Sequence, residues 1–304
     1  MLSRRHHVLR CFAALLLLLG ATLHAQTPAE PPLSPVAEQI RERIEQWRAV
    51  QAGASTPAEL DRAVMNFYEQ ARFAPAWTRQ DNLDQLLAAL RDVAGDGLDP
   101  EDYALGELQR RRSVLSDPQA TAQQRAQFDL LATDACLAAL LHLYRGKVDP
   151  ATLDTHWNFD LRQIEQARGL QALRDALAQG AITGLFERAR PQHPLYGRLR
   201  TALAKLREVA AQGGWPLLAD GATLKPGVSD RRVPLLRERL RLGGYPAGDA
   251  TDDHSDSTLE VALRQFQREQ YLVADGHLGK ATLAALNVPV ASRSGQLRVN
   301  RERA

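Results

Sequence analysis

Thiol, imidazole and carboxylate side chains are the groups through which this chain could do chemistry, and their spacing is sparse. There are two cysteines, Cys11 and Cys136. Cys136 stands in LLATDACLAALLHLY beside helix neighbours such as Ala132 and Leu140. A nucleophilic thiol needs an accessible thiolate and a positioned base. His142 follows six residues later, roughly opposite on a helix rather than one turn away, so Cys136 reads as a buried structural residue. Asp252, Asp253, His254 and Asp256 carry metal-compatible atoms without the spacing of a calcium loop, and read as a solvated loop. His193 has no ligand partner in the sequence and reads as a turn or surface residue. No His-x-x-x-His pair and no cysteine cluster is present to hold zinc. Glu101 and Asp102 are adjacent, and adjacent helical residues do not face each other as the paired carboxylates of a glycosidase must. These residues predict no catalytic centre, no metal and no cofactor.

The elements that would position any site are helical. At 304 residues, 44% apolar and 24% charged, the chain has the balance of roughly two globular domains, which excludes a disordered, collagen-like or polytopic membrane protein. A basic start (Arg4, Arg5, Arg10), an apolar run from Phe12 to Leu19 and a small residue at Ala25 read as a secretory signal peptide over 1–25. The run is too short to span a hydrocarbon core of about 30 Å, so no stable membrane span is expected after its removal. Cys11 precedes that run, where a lipid-accepting cysteine would not stand. Export would leave Cys136 alone, without an internal disulfide. Lys plus Arg number 38 against 36 Asp plus Glu. With the leader's three arginines set aside the body is nearly neutral, which argues against nucleic acid as a partner.

A proline-rich tether occupies 26–35. Helical spacing then runs from Val36 to Val50, through Leu60, Val64 and Phe67 after a Thr56–Pro57 start, and along Leu83 to Val93. Asp99 and Pro100 can cap and open a further helix, and others are expected over 128–144, 161–177 and 195–211. An all-helical domain over 36–215 follows, then a turn-rich linker at 216–229. From 230 to 288 the texture changes to three short helices with Leu236, Leu240, Leu263 and Phe266 on their apolar faces. Such a module is small enough to be marginal alone. Trp47, Trp77, Trp157 and Trp215 lie beside apolar segments or proline turns and read as packing residues. Arg110, Arg111 and Arg112 read as a solvated helix end.

Within ALRQFQREQYLVADGHLGKATLAALN, Phe266 and Gln267, Asp275 and Gly276, and Gly279, Thr282 and Leu286 match the spaced positions of a known repeat. The segment resembles the peptidoglycan-binding-like module of bacterial cell-wall hydrolases and transpeptidases, with Tyr271 replacing the usual glycine. Upstream, NFYEQARFAPAW, GLDPEDY, GKVDP, HPLYGRLR, GGWP and LKPGVSDRRVPLLRERL, and downstream LNVPV, are similar to the scaffold and binding domains of large L,D-transpeptidases. The resemblance covers nearly all of the mature chain. It implies an all-α scaffold followed by the three-helix binding module. In such enzymes a β-rich domain with a His-Gly-Cys nucleophile follows, whereas here 289–304 reads as the start of a linker to an absent catalytic domain.

The resemblance therefore implies a noncatalytic, periplasmic protein whose partners are the glycan or stem peptide of peptidoglycan and a cell-wall synthesis enzyme. Two other readings stand beside it. One is the amino-terminal part of a transpeptidase whose catalytic domain is missing or separate. The other is an envelope protein-interaction scaffold without glycan affinity. A glycan peptide needs a shallow cleft of amides, hydroxyls and aromatic faces. Gln267, Tyr271, Asp275, His277 and Thr282 are the candidate contacts, with turn and cap support as their competing role. Phe266, Gly276, Gly279 and Leu286 are expected to be structural.

Overall fold

The computed structural model describes residues 31–51, 59–147, 165–249 and 251–295. The segment 1–25 expected as a signal peptide, the expected Thr56–Pro57 helix start, most of GKVDP, Trp157 and residues 296–304 fall outside the described residues. Every extended element among the described residues is a helix, and β pairing is confined to isolated bridges, Leu224 with Leu278 and Ser229 with His254.

The first domain is organised around α5 (Ala122–Arg145). Thr121 and Gln124 start this helix with a reciprocal capping box, each side chain accepting the other's backbone N–H at 3.1 and 2.8 Å. By length and composition α5 could cross a membrane, but 67% of its apolar window is buried inside the bundle. Around it pack α1 (Pro35–Gln51), α2 (Glu59–Gln70), α3 (Gln80–Asp92), α4 (Leu105–Arg111) and α7 (Ile182–Ala189), while α6 (Gln166–Gln179) joins α2 and α7. The apolar stripes read from sequence are those that bury: Ile40 and Ile44, Val64 and Phe67, and Leu83, Leu86, Leu87 and Leu90 are within a few per cent of full burial. Asp99 caps the predicted helix start, accepting from Glu101 N at 3.0 Å, but the element over Pro100–Tyr103 is a single 3-10 turn. Sequence periodicity leaves α7 unassigned, because it spans eight residues and its Ile182, Leu185 and Phe186 complete only two turns.

The ARFAPAW segment is held by a buried polar cluster. The Asp129 carboxylate accepts from Ala76 N and Trp77 N at 2.8 Å and from the Tyr68 hydroxyl at 2.7 Å, and Trp77 Nε1 donates to Thr133 Oγ1 at 2.9 Å. Burial raises the Asp129 carboxyl above the ordinary range, and these hydrogen bonds pull it back. Arg72 and Phe73 take positive φ there, a conformation unfavourable to both, so the cluster fixes a strained turn.

Helix α8 (Pro194–Ala211) is capped by His193, whose Nδ1 accepts from Leu195 N at 3.2 Å. It docks through Asp96, a fully buried carboxylate that accepts from the Tyr196 hydroxyl and from Arg190 Nε, each at 2.9 Å.

The second core belongs to α9 (Val233–Leu242), α10 (Ser257–Glu269) and α11 (Lys280–Leu286), with Leu236, Leu240, Leu259, Leu263, Phe266 and Leu286 inside. The linker is part of this unit. Leu218 enters the core, Trp215 Nε1 donates to Val288 O at 2.9 Å, and the Arg239 guanidinium lies 3.7 Å from the Trp215 ring centroid. Asn287 exchanges two 2.9 Å hydrogen bonds with the Leu218 backbone. The boundary expected after Trp215 thus falls inside a clasp that ties the module's entry to its exit. Trp215 is buried, as a packing residue, with its ring against the Arg239 side chain of α9.

Candidate functional site

The DDHSDS segment is more tightly held than a solvated loop. Asp256 caps α10, accepting from Leu259 N at 2.8 Å, and the buried Arg237 donates to His254 O at 2.7 Å and pairs with Asp256 at 3.1 Å. This arginine spends its charge inside the fold, where an unpaired guanidinium would be costly. Sequence reading passed over it, although an arginine directly after Leu236 and one turn after Val233 was the available signal. No group of metal-binding side chains occurs among the described residues.

Cys136 is fully buried, and burial pushes its thiol far above the ordinary range, so no thiolate is available at neutral pH. His142 instead pairs with Tyr103, Nδ1 to hydroxyl at 3.0 Å, and burial together with Lys147 and Arg145 lowers its basicity. Glu101 accepts from Gly106 N and Asp102 pairs with Lys147, so these two carboxylates serve different partners. Arg110 and Arg111 both pair with Glu107, and Arg112 with Asp84.

The five candidate contacts divide into two layers. Gln267 is at 0% exposure. Its Nε2 lies 2.9, 3.0 and 3.1 Å from Asp275 Oδ1, His277 O and Thr282 Oγ1, so its two hydrogens are shared among three acceptors, and its Oε1 accepts from Gly276 N at 2.9 Å. Both amide atoms are engaged, leaving Gln267 the hub that binds the loop to α10 and α11. Thr282 is also buried, with its hydroxyl in that web rather than on its own helix backbone. Phe266 packs edge-on against Tyr245 at 5.6 Å between ring centroids, and Leu286 is fully buried.

The outer layer is Tyr271, Asp275 and His277. The end of α10 closes as a Schellman turn, with Leu272 N donating to Gln267 O at 2.8 Å and Tyr271 N to Arg268 O at 3.1 Å. The left-handed position of that turn belongs to Tyr271, at φ +56, and glycine is the usual occupant because it has no Cβ. The turn forms despite the substitution, and the ring is 98% exposed. Asp275 Oδ1 accepts from His277 N at 2.9 Å, and this backbone bond, with Gln267, holds its carboxyl below the usual range.

The two motif glycines differ. Gly276 is buried at φ +73, and a Cβ there would come within 2.8 Å of Glu260 Cγ. Gly279 takes an extended φ of −91, and a Cβ would meet nothing within 4 Å. Backbone geometry therefore requires glycine at the first position and not at the second.

Residues 62–203 match the Scaffold domain family, and residues 229–286 match the family described as Putative peptidoglycan binding domain. No curated protein matches the chain. The chain thus carries a scaffold domain and a peptidoglycan-binding-like domain, and no catalytic L,D-transpeptidase domain is detected in these 304 residues. The Schellman turn, the glutamine hub and the exposed tyrosine all lie inside the second match.

Proposed function

We propose that this protein is a noncatalytic peptidoglycan-binding scaffold of the periplasm, and that the loop at 271–279 is its contact with the glycan or stem peptide. The observation that carries the reading is Tyr271. A large aromatic ring held wholly in solvent, at a backbone position that penalises it, contributes nothing to the fold and offers a flat apolar face with a hydroxyl edge. Asp275 and His277 beside it supply an acceptor and an imidazole, the sparse polar set that orients a hydroxyl- and amide-rich ligand. Gln267 and Thr282 act indirectly, by fixing the loop from beneath. Export rests on the leader residues 1–25, and a cell-wall synthesis enzyme is the protein partner a scaffold of this family would hold.

The test is saturable pelleting of the purified mature chain with washed sacculi. Tyr271→Gly and His277→Ala are each expected to weaken association about tenfold, with helical content unchanged. Association of both variants equal to that of the parent would overturn the reading.

A further inference from the structure

The helical domain carries a groove that neither the loop at 271–279 nor the family matches assign to a ligand. A cleft of about 580 Å3 lies where α1, α2 and α4 meet α5. That volume falls in the range that holds small organic ligands, roughly 300–1,000 Å3. Trp47 lines it from α1, Asp61 from α2, and Leu130, Leu131 and Asp134 from α5. A hollow of about 180 Å3 adjoins it along the same helices, sharing Arg43, Gln127 and Leu130 and adding the amides of Gln39, Gln46 and Gln123. Together they make a trough with hydrogen-bonding side chains at one end and an indole, aliphatic side chains and carboxylates at the other.

Asp134 is the residue the fold does not explain. It is half-buried, and no hydrogen bond or ion pair reaches its carboxylate among the described residues. Burial and the nearby Asp61 charge both raise its carboxyl above the ordinary range, so keeping it ionised costs stability. The cations at the groove are otherwise directed: Arg111 pairs with Glu107, and Arg43 donates to Gln46 at 3.4 Å. A half-buried carboxylate with no partner among the described residues is open to a ligand that offers it a cation. A carboxylate so placed accepts hydrogen bonds from a cation, an aromatic face takes the apolar side of a sugar or peptide, and the glutamines suit amides and hydroxyls.

We propose that this trough is a second peptidoglycan site, in which Asp134 receives a free amino group of a disaccharide-peptide fragment while Trp47 packs against the fragment's body. The ligand class rests on the function proposed above, whereas the groove and its chemistry do not. The full mature chain is titrated by calorimetry with a soluble disaccharide-tetrapeptide bearing one free side-chain amine, and with the same fragment acetylated at that amine. Acetylation, Asp134→Asn and Trp47→Phe are each expected to weaken binding at least tenfold in the parent chain. Acetylation should then have no further effect in the Asp134→Asn variant, because both changes remove one contact. In the Tyr271→Gly variant, pelleting with sacculi and any fragment binding at the loop should fall while the acetylation-sensitive binding persists, which separates the two sites. The asparagine variant keeps the shape of the side chain and relieves an unpaired charge, so it folds. Absence of saturable fragment binding to the parent, or equal binding of free and acetylated fragments, or a loss with Tyr271→Gly but none with Asp134→Asn, would each overturn the proposal.

Discussion

Replacing Tyr271 by glycine separates what the backbone wants from what the side chain does. A left-handed conformation costs a non-glycine residue about 1–2 kcal/mol, and Tyr271 bears this cost at φ +56. Glycine removes it but makes the unfolded chain more flexible, which gives back about 0.4–1 kcal/mol. With the ring 98% exposed, no burial is lost. The net expectation is a gain of about 0.5–1 kcal/mol, or about 2–8 °C in the transition of a module this size. Tyr271→Ala keeps the strained backbone and loses the same ring, so its stability should stay within about 0.5 kcal/mol of the parent. Thermal unfolding followed by circular dichroism and calorimetry reads the first quantity, and sacculus pelleting of the same preparations reads the second. A module that is stabilised by glycine yet loses peptidoglycan is the expected pair of results. A lower transition in both variants would show that the ring packs on something, and the reasoning from exposure would then be wrong.

Gly276→Ala should cost about 2–3 kcal/mol through its positive φ and the close Glu260 side chain, and Gly279→Ala less than about 0.5 kcal/mol; equal losses in urea unfolding would contradict the distinction drawn between them. Gln267→Leu strands Gly276 N–H and the Thr282 and Asp275 acceptors, a loss of about 2–4 kcal/mol, and chemical denaturation showing a change under 1 kcal/mol would remove the glutamine from the centre of the loop. Cys136 should resist a thiol reagent at neutral pH until the chain unfolds, and rapid native labelling detected by peptide mass would refute its burial. The Asp134 carboxyl is raised in the folded state, so the fold loses stability as pH rises from the ordinary carboxylate range through the raised value. Asp134→Asn should therefore be more stable than the parent at pH 7 and equal to it below about pH 3.5, and a pH-independent difference in melting temperature would exclude that cause.

The helical class and most of the first core were legible in the amino-acid order because they are short-range. Ile40 and Ile44, Leu83 through Leu90, and Phe266 in line with Leu259 and Leu263 recur at the period of a helix, and a 3.6-residue repeat leaves an apolar stripe little choice but to bury. Capping is equally local: Asp99 with Pro100 was read as a helix start, whereas the Thr121–Gln124 box, which starts α5 six residues before the expected 128, was passed over although it too lies within one turn of the groups it satisfies. The expected buried cysteine followed from the same arithmetic. A two-turn helix such as α7 is too short for a periodic signal, so contacts with α3 and α6 had to define it.

Which polar residues face a ligand was beyond the sequence, since hydrogen-bond partners are chosen by proximity in space. Gln267 and Tyr271 are four residues apart and were equal candidates on paper. Tertiary packing turned the first inward, where an unpaired amide would be costly and each of its atoms found a partner, and left the second in solvent across the Schellman turn. Asp134 and Trp47 come from different helices, and Arg239 meets Trp215 across the linker. Spacing along the chain carries no trace of such meetings, because only the closing of one helix on another brings charge, ring and amide within reach.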